Sequence, residues 1–165
     1  MTTPTTFPPT YDVVVVGAGV IGSAIARDLA GHRLSVALVD TRNDVGDGTS
    51  KANTAILHTG YDASPGTLES RLVGAGYRLL ADYADATGIP VLKTGALLVA
   101  WDADQLDALP SLQRKAEANG YADTEIVDAA CVYATVPDLG PGALGGLRVP
   151  DESIIDPWSP SLAFS

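Results

Sequence analysis

The sequence predicts an α/β fold: a parallel β-α-β unit, followed by helices and antiparallel strands. Three observations predict it. Val13, Val14, Val15 and Val16 form an unbroken β-branched run, the pattern of a strand covered on both faces. Gly17, Gly19 and Gly22 follow in the spacing G-x-G-x-x-G and lead into a helical pattern. A second apolar run then ends on Asp40, close to the ~20 residues by which an acid follows such glycines in dinucleotide-binding units.

Each part of Tyr11 to Asp40 has a mechanical reason. Gly17 permits the tight turn out of the strand, Gly19 lets backbone approach a pyrophosphate, and Gly22 lets the helix lie close to the strand. The helix start offers N–H groups and a positive dipole end to phosphates. Asp40 presents a carboxylate to a ribose diol. The unit therefore points to an adenine dinucleotide. It does not separate NAD from FAD, or an enzyme from a ligand sensor.

Composition narrows the class. The chain has 165 residues, 46% of them apolar, enough for a substantial core. No apolar run reaches the ~18 residues of a membrane span. Residues 1–10, MTTPTTFPPT, lack the basic and apolar regions of a signal peptide and read as a disordered tail. The net charge of −10 disfavours nucleic acid and anionic membranes. Cys131 is the single cysteine, so no internal disulfide forms, and a cytoplasmic location is expected. The two histidines and the cysteine are too scattered for a metal site.

Along the chain, Val20, Ile21, Ala24, Ile25 and Leu29 form the expected buried stripe of the first helix, which Gly31 and His32 end. Residues 41–53 are polar and glycine-containing, hence a loop. Thr49, Ser50, Asn53 and Thr54 offer short hydrogen-bonding groups suited to phosphate, and Thr49 or Ser50 is placed to cap a short helix. A short apolar run leads to His58, which reads as a general base, a flavin contact or a structural residue. A long helix is expected over 67–87, with Leu68, Leu72 and Leu79 on its apolar face and Gly74 and Gly76 at a close approach. Gly88 and Pro90 end it. Two short strands follow around Thr94-Gly95. The next helix is capped by Asp102, split or kinked at Pro110 and stopped at Asn119-Gly120. A strand at 124–127, a short helix begun by Asp128, strands within 143–155 and a helix opened by Asp156-Pro157 complete the pattern. No third parallel strand is expected, and Ser165 falls inside a helical pattern. These two features predict an N-terminal portion of a longer protein.

Three stretches carry a resemblance: YDVVVVGAGVIGSAIARDLA, NTAILHTGYDASPGTLESRLV and GIPVLKTGALLVAW. They are similar to FAD-dependent oxidoreductases of the D-amino-acid-oxidase/glycerol-3-phosphate-dehydrogenase superfamily. Within it they resemble the branch of L-2-hydroxyglutarate dehydrogenases and anaerobic-type glycerol-3-phosphate dehydrogenases. Thr59 stands where the branch usually has serine and keeps the hydroxyl. The resemblance implies FAD as the dinucleotide. Gly17, Gly19, Val20, Ile21 and Gly22 would hold its pyrophosphate, and Asp40, with Thr41 and Arg42 beside it, the adenosine ribose. Thr49, Ser50, Asn53 and Thr54 would follow the pyrophosphate and ribityl chain, with His58 and Thr59 near the flavin ring. Residues 11–90 would form the Rossmann-like FAD portion, 91–155 the start of an antiparallel-sheet substrate domain, and 156–165 the return towards the FAD domain.

The expected function is oxidation of a small hydroxy acid or glycerol 3-phosphate by hydride transfer to flavin, with oxygen or a quinone as acceptor. Two alternatives compete. An NAD(P)-dependent dehydrogenase would show a third parallel strand soon after residue 60. A non-catalytic dinucleotide-binding fragment would bind without turnover.

Overall fold

The structure, a computed structural model, describes residues 10–165; the expected tail lies outside them save for Thr10. The described residues form two compact units, 10–55 with 156–165, and 56–155.

The first unit is built on the β-branched run. Strand β1 (Val13–Val16) pairs in parallel with β2 (Val36–Val39), Val13 opposite Val36 and Val16 opposite Val39. Helix α1 (Val20–Ala30) makes the crossover, and Gly31 closes its end. A single turn of 3-10 helix spans Thr49–Lys51. Its N-cap is Gly48, which corrects the expectation that Thr49 or Ser50 caps it. Later in the chain, α5 (Ser159–Phe164) belongs to the same unit. The Asp156 carboxylate accepts from the N–H of Ser159 at 2.7 Å and so starts the turn. The Trp158 indole donates to the Val45 carbonyl at 2.8 Å, and Arg27 donates to the Ala163 carbonyl at 3.0 Å.

The second unit holds two antiparallel three-stranded sheets. In one, β8 (Ser153–Ile155) lies between β3 (Ile56–Leu57) and β4 (Val91–Leu92). In the other, β7 (Gly145–Val149) lies between β5 (Ala96–Ala100) and β6 (Glu125–Asp128). Helix α2 (Leu68–Thr87) joins β3 to β4, and α3 (Ala103–Ala118) and α4 (Ala129–Thr135) join β5, β6 and β7 in turn. Each begins on an oxygen-bearing cap: Thr67 accepts from Ser70 N, Asp102 from Gln105 N and Asp128 from Cys131 N. Gln105 also accepts from Trp101 N, so the start of α3 is tied in both directions. Leu147 sits with Ala100 and Leu109 on one side of β7, while Val127, Val132 and Ala143 form a second cluster.

Several expectations are corrected. Helix α3 runs unbroken through Pro110. Proline removes one backbone hydrogen bond, but the capped start and the buried Leu109 and Ala116 carry the helix past it. In α1, Ser23 is the buried residue, while Ile21 and Ile25 are 71% and 47% exposed. Gly22 and Ser23 set the close face against β1, which turns the two isoleucines away. Leu68, Leu72 and Leu79 of α2 are likewise exposed, and Ala84 is its buried residue. Gly74 lies near the Thr59 carbonyl as a close approach requires, but Gly76 faces open space. By contacts, residues 56–90 group with the antiparallel sheets, because β3 pairs with β8 and α2 follows in the same unit. No third parallel strand occurs among the described residues, so the distinguishing feature of the NAD(P) alternative is lacking there.

Candidate functional site

The glycine-rich turn closes through short backbone contacts. Gly17 leaves β1 at φ +103°, a region L side chains rarely adopt, and its N–H donates to the Val39 carbonyl at 2.7 Å. A side chain at Gly22 would place its Cβ 1.8 Å from the Gly17 carbonyl oxygen, so only glycine lets α1 approach the strand this closely. No side chain caps α1 locally, because its N-cap is Gly19. The acceptor comes from the loop instead: Ser50 Oγ accepts the Val20 N–H at 2.9 Å. The N–H groups of Ile21 and Gly22 meet no protein acceptor among the described residues.

Asp40 follows β2 directly. Its carboxylate accepts from Ala18 N at 2.6 Å and from Arg42 N at 2.8 Å. The Ala18 hydrogen bond, then that of Arg42, holds the carboxyl below the usual carboxylate range. It stays ionised at neutral pH and keeps further lone pairs for a ligand's hydroxyls. Val16, Gly17, Val39, Asp40 and Thr41 line a cavity of about 280 Å³ beyond the strand ends, the position at which open α/β sheets gather ligands. Arg42 and Asp40 border a neighbouring hollow.

The loop after Asp40 is internally tied. Asn53 donates to the Ser50 carbonyl at 2.8 Å and, through its side-chain oxygen, accepts from Ala55 N at 2.7 Å. Ala55 is thereby held at φ +58°, the left-handed region that favours glycine. Lys51 pairs with Asp47 and lies over the Trp158 ring. Thus Gly17, Gly19, Val20, Asp40 and Ser50 converge on one end of the strands. Ile21 and Thr54 are exposed, Thr49 contributes its carbonyl to the loop, and Asn53 is spent on loop bonds.

His58 and Thr59 belong to the second unit. Thr59 is buried, and its N–H and hydroxyl both donate to Glu152 Oε1 at 2.8 Å. Its hydroxyl is directed into the protein. His58 is half exposed, and its Nδ1 lies 3.4 Å from Glu152 Oε2. Asn119 donates to the carbonyls of Gly60, Tyr61 and Ala63, at 3.1, 3.2 and 2.7 Å, and so clamps the turn after Thr59. Sequence reasoning missed Glu152 and Asn119. The signal for Glu152 was an acid set between the apolar runs of β7 and β8.

The profile of the family described as FAD dependent oxidoreductase (DAO) matches residues 12–160. A glycerol 3-phosphate dehydrogenase of Caloramator mitchellensis is 37% identical over 94% of this chain and 32% of its own length. The mitochondrial L-2-hydroxyglutarate dehydrogenase of Caenorhabditis elegans is 32% identical over 90% of this chain and 34% of its own length. Among solved structures, the dithionite-reduced L-alpha-glycerophosphate oxidase of Mycoplasma pneumoniae with FAD bound superposes with a TM-score of 0.88. It is 29% identical and is matched over 95% of this chain and 42% of its own. The chain spans about a third of the length of the curated relatives it matches. With the family profile covering nearly all of the described residues, the chain belongs to the FAD dependent oxidoreductase family.

Proposed function

We propose that this chain is the portion of a flavoenzyme that holds the ADP end of FAD, in an enzyme oxidising glycerol 3-phosphate or a small hydroxy acid. The carrying observation is the convergence of Gly17, the first turn of α1 and the ionised Asp40, with unsatisfied N–H groups beside an acceptor carboxylate. That set suits a pyrophosphate next to a ribose diol. Relatives named for glycerol 3-phosphate and for L-2-hydroxyglutarate support the substrate class.

In this reading Ile21 and Gly22 donate to the pyrophosphate, with Gly19 and Val20 beside them. Asp40 orients the ribose, flanked by Thr41 and Arg42. Ser50 keeps the helix start rigid by capping Val20. Thr49, Asn53 and Thr54 belong to the ribityl side; Asn53 acts there by fixing the loop backbone. Bound FAD supplies the two-electron acceptor for a C–H bond beside a hydroxyl. The chain's own contribution is to bind, to orient and to move a proton, and His58 is the residue assigned to the flavin side, with Thr59 adjacent. We assign residues 11–90 to the FAD portion, 91–155 to the start of the substrate domain and 156–165 to a return to the FAD portion. The grouping of 156–165 with the β1–β2 unit supports the last.

Among the described residues no helix is long and apolar enough to cross a membrane. A cytoplasmic site with oxygen or a quinone as electron acceptor completes the proposal, supported by the single cysteine. The test is anaerobic bleaching of the FAD-reconstituted enzyme that carries this chain as its ADP-binding portion. Glycerol 3-phosphate or L-2-hydroxyglutarate bleaches the flavin, and His58→Ala slows bleaching by about 10²–10⁴-fold, the usual worth of proton transfer. No bleaching by either compound contradicts the proposal.

A further inference from the structure

The second unit holds a buried acid beside His58. Glu152 is 3% exposed, and its only ion-pair partner among the described residues is His58. A carboxylate is costly to bury without a cationic partner, and its oxygens need donors. Here they divide the work. Oε1 accepts both Thr59 donors. Oε2 faces His58 Nδ1 at 3.4 Å.

Glu152 is itself held from several sides. The Tyr77 hydroxyl donates to the Asp151 carbonyl at 3.0 Å, and Asp151 N donates to the Tyr121 hydroxyl at 3.1 Å. Gly95 N donates to the Glu152 carbonyl at 2.9 Å. The turn between β7 and β8 is thus gripped by two tyrosines and a backbone bond. On the other side, Asn119 clamps the turn following Thr59. A carboxylate fixed this firmly presents one lone pair at a set place beside the imidazole.

We propose that Glu152 is a positioning residue: its Oε2 holds the proton of neutral His58 on Nδ1 and leaves the Nε2 lone pair outward as the proton acceptor. The tautomer of a histidine is set by the partner of its other nitrogen. A carboxylate oxygen 3.4 Å from Nδ1 favours a proton there over a bare lone pair. The use of Nε2 at a substrate rests on the function proposed above; the tautomer does not.

A glutamine separates this role from a purely structural one. In Glu152→Gln the amide oxygen still accepts from Thr59, so the buried anchor survives. The amide NH2 then faces Nδ1, which must accept, and the proton moves to Nε2. The measurement is two-bond 15N–1H correlation NMR of the imidazoles in the full chain, with no flavin added. It is run at about pH 9, where an ordinary imidazole with pKa ~6.5 is neutral. Signals are assigned with His58→Asn, which leaves His32 alone. The expected result is Nδ1–H for His58 in the unaltered chain and inversion to Nε2–H in Glu152→Gln. A Nε2–H tautomer in the unaltered chain overturns the proposal whether or not the variant folds, and so does an unchanged tautomer in a folded variant. Flavin bleaching is scored separately, so its failure sinks the function above without touching the tautomer.

Discussion

At the residue scale, Gly22 shows how one absent methyl group sets the site. Its Cβ would stand 1.8 Å from the Gly17 carbonyl oxygen, and both atoms are backbone-bound, so no rotamer relieves the overlap. In an ordinary helix Ala in place of Gly gains about 1 kcal/mol. Here overpacking costs more, about 1–3 kcal/mol and upward, so Gly22→Ala destabilises. Urea unfolding followed by Trp158 fluorescence in a Trp101→Phe chain measures it, because Trp158 lies in the unit of α1. A gain in stability would contradict the packing described. The placement of Gly17, Gly22 and Asp40 at the turn and the strand end was legible in the sequence, because spacing alone fixes where strand, turn and helix put them. Ser50 was legible as a loop hydroxyl; that it caps Val20, 30 residues back, was not. The pairing of Glu152 with Thr59 was invisible for the same reason, since the two lie 93 residues apart. Pattern reasoning reads neighbours along the chain and has no access to partners brought together by the fold.

At the element scale, local chemistry decided most boundaries and failed where packing overrode it. The caps at Asp102 and Asp128 start their helices as expected and Thr67 starts α2 in the same way, each accepting from the N–H three residues on. The left-handed Gly88 ends α2. Pro110 is the counterexample. It sits within α3, which remains one helix from Ala103 to Ala118. The tolerance has an energetic consequence: proline inside a helix costs up to about 3 kcal/mol against Ala, partly offset by its stiffening of the unfolded chain. Pro110→Ala is therefore expected to raise the stability of the second unit by about 1–3 kcal/mol. Trp101 fluorescence in a Trp158→Phe chain reports on that unit. A loss would mean that the proline is needed for the α3 geometry. The apolar stripes of α1 and α2 misled for a different reason. Periodicity marks a face as apolar, and here Ile21, Leu72 and Leu79 form faces that the described residues leave exposed.

At the scale of the whole molecule, charge is distributed so that acid attacks one unit first. Asp12, Asp40, Asp47 and Asp156 all lie in the β1–β2 unit, and each is held below the usual carboxylate range. The leading causes are hydrogen bonds from Ser35, Ala18, Lys51 and Ser159 respectively. A carboxyl whose folded pKa is depressed contributes stability above its unfolded value, about 3.9 for Asp, and loses it as pH falls through the folded value. Acidification below about pH 4 should accordingly loosen the β1–β2 unit. The Trp158 emission shifts red while Trp101 reports a structure still folded. Alkali acts on the other unit, where burial first of all pushes Tyr121 up to about 12. Its contribution is complete below the unfolded tyrosine value of about 10 and is lost as pH rises towards the folded one.

The central claim is that Gly17 to Asp40 form a cradle for the ADP end of FAD, with Asp40 as the ribose acceptor. The most direct measurement is titration of FAD into the chain, read by quenching of flavin fluorescence, with ADP as competitor and Asp40→Ala as control. Hydrogen bonds to a charged group are worth about 1.5–3 kcal/mol each. The account predicts saturable FAD binding, displacement by ADP and a loss of about tenfold or more in Asp40→Ala. Binding of FAD unchanged by Asp40→Ala, or binding of NADH with none of FAD, would contradict it.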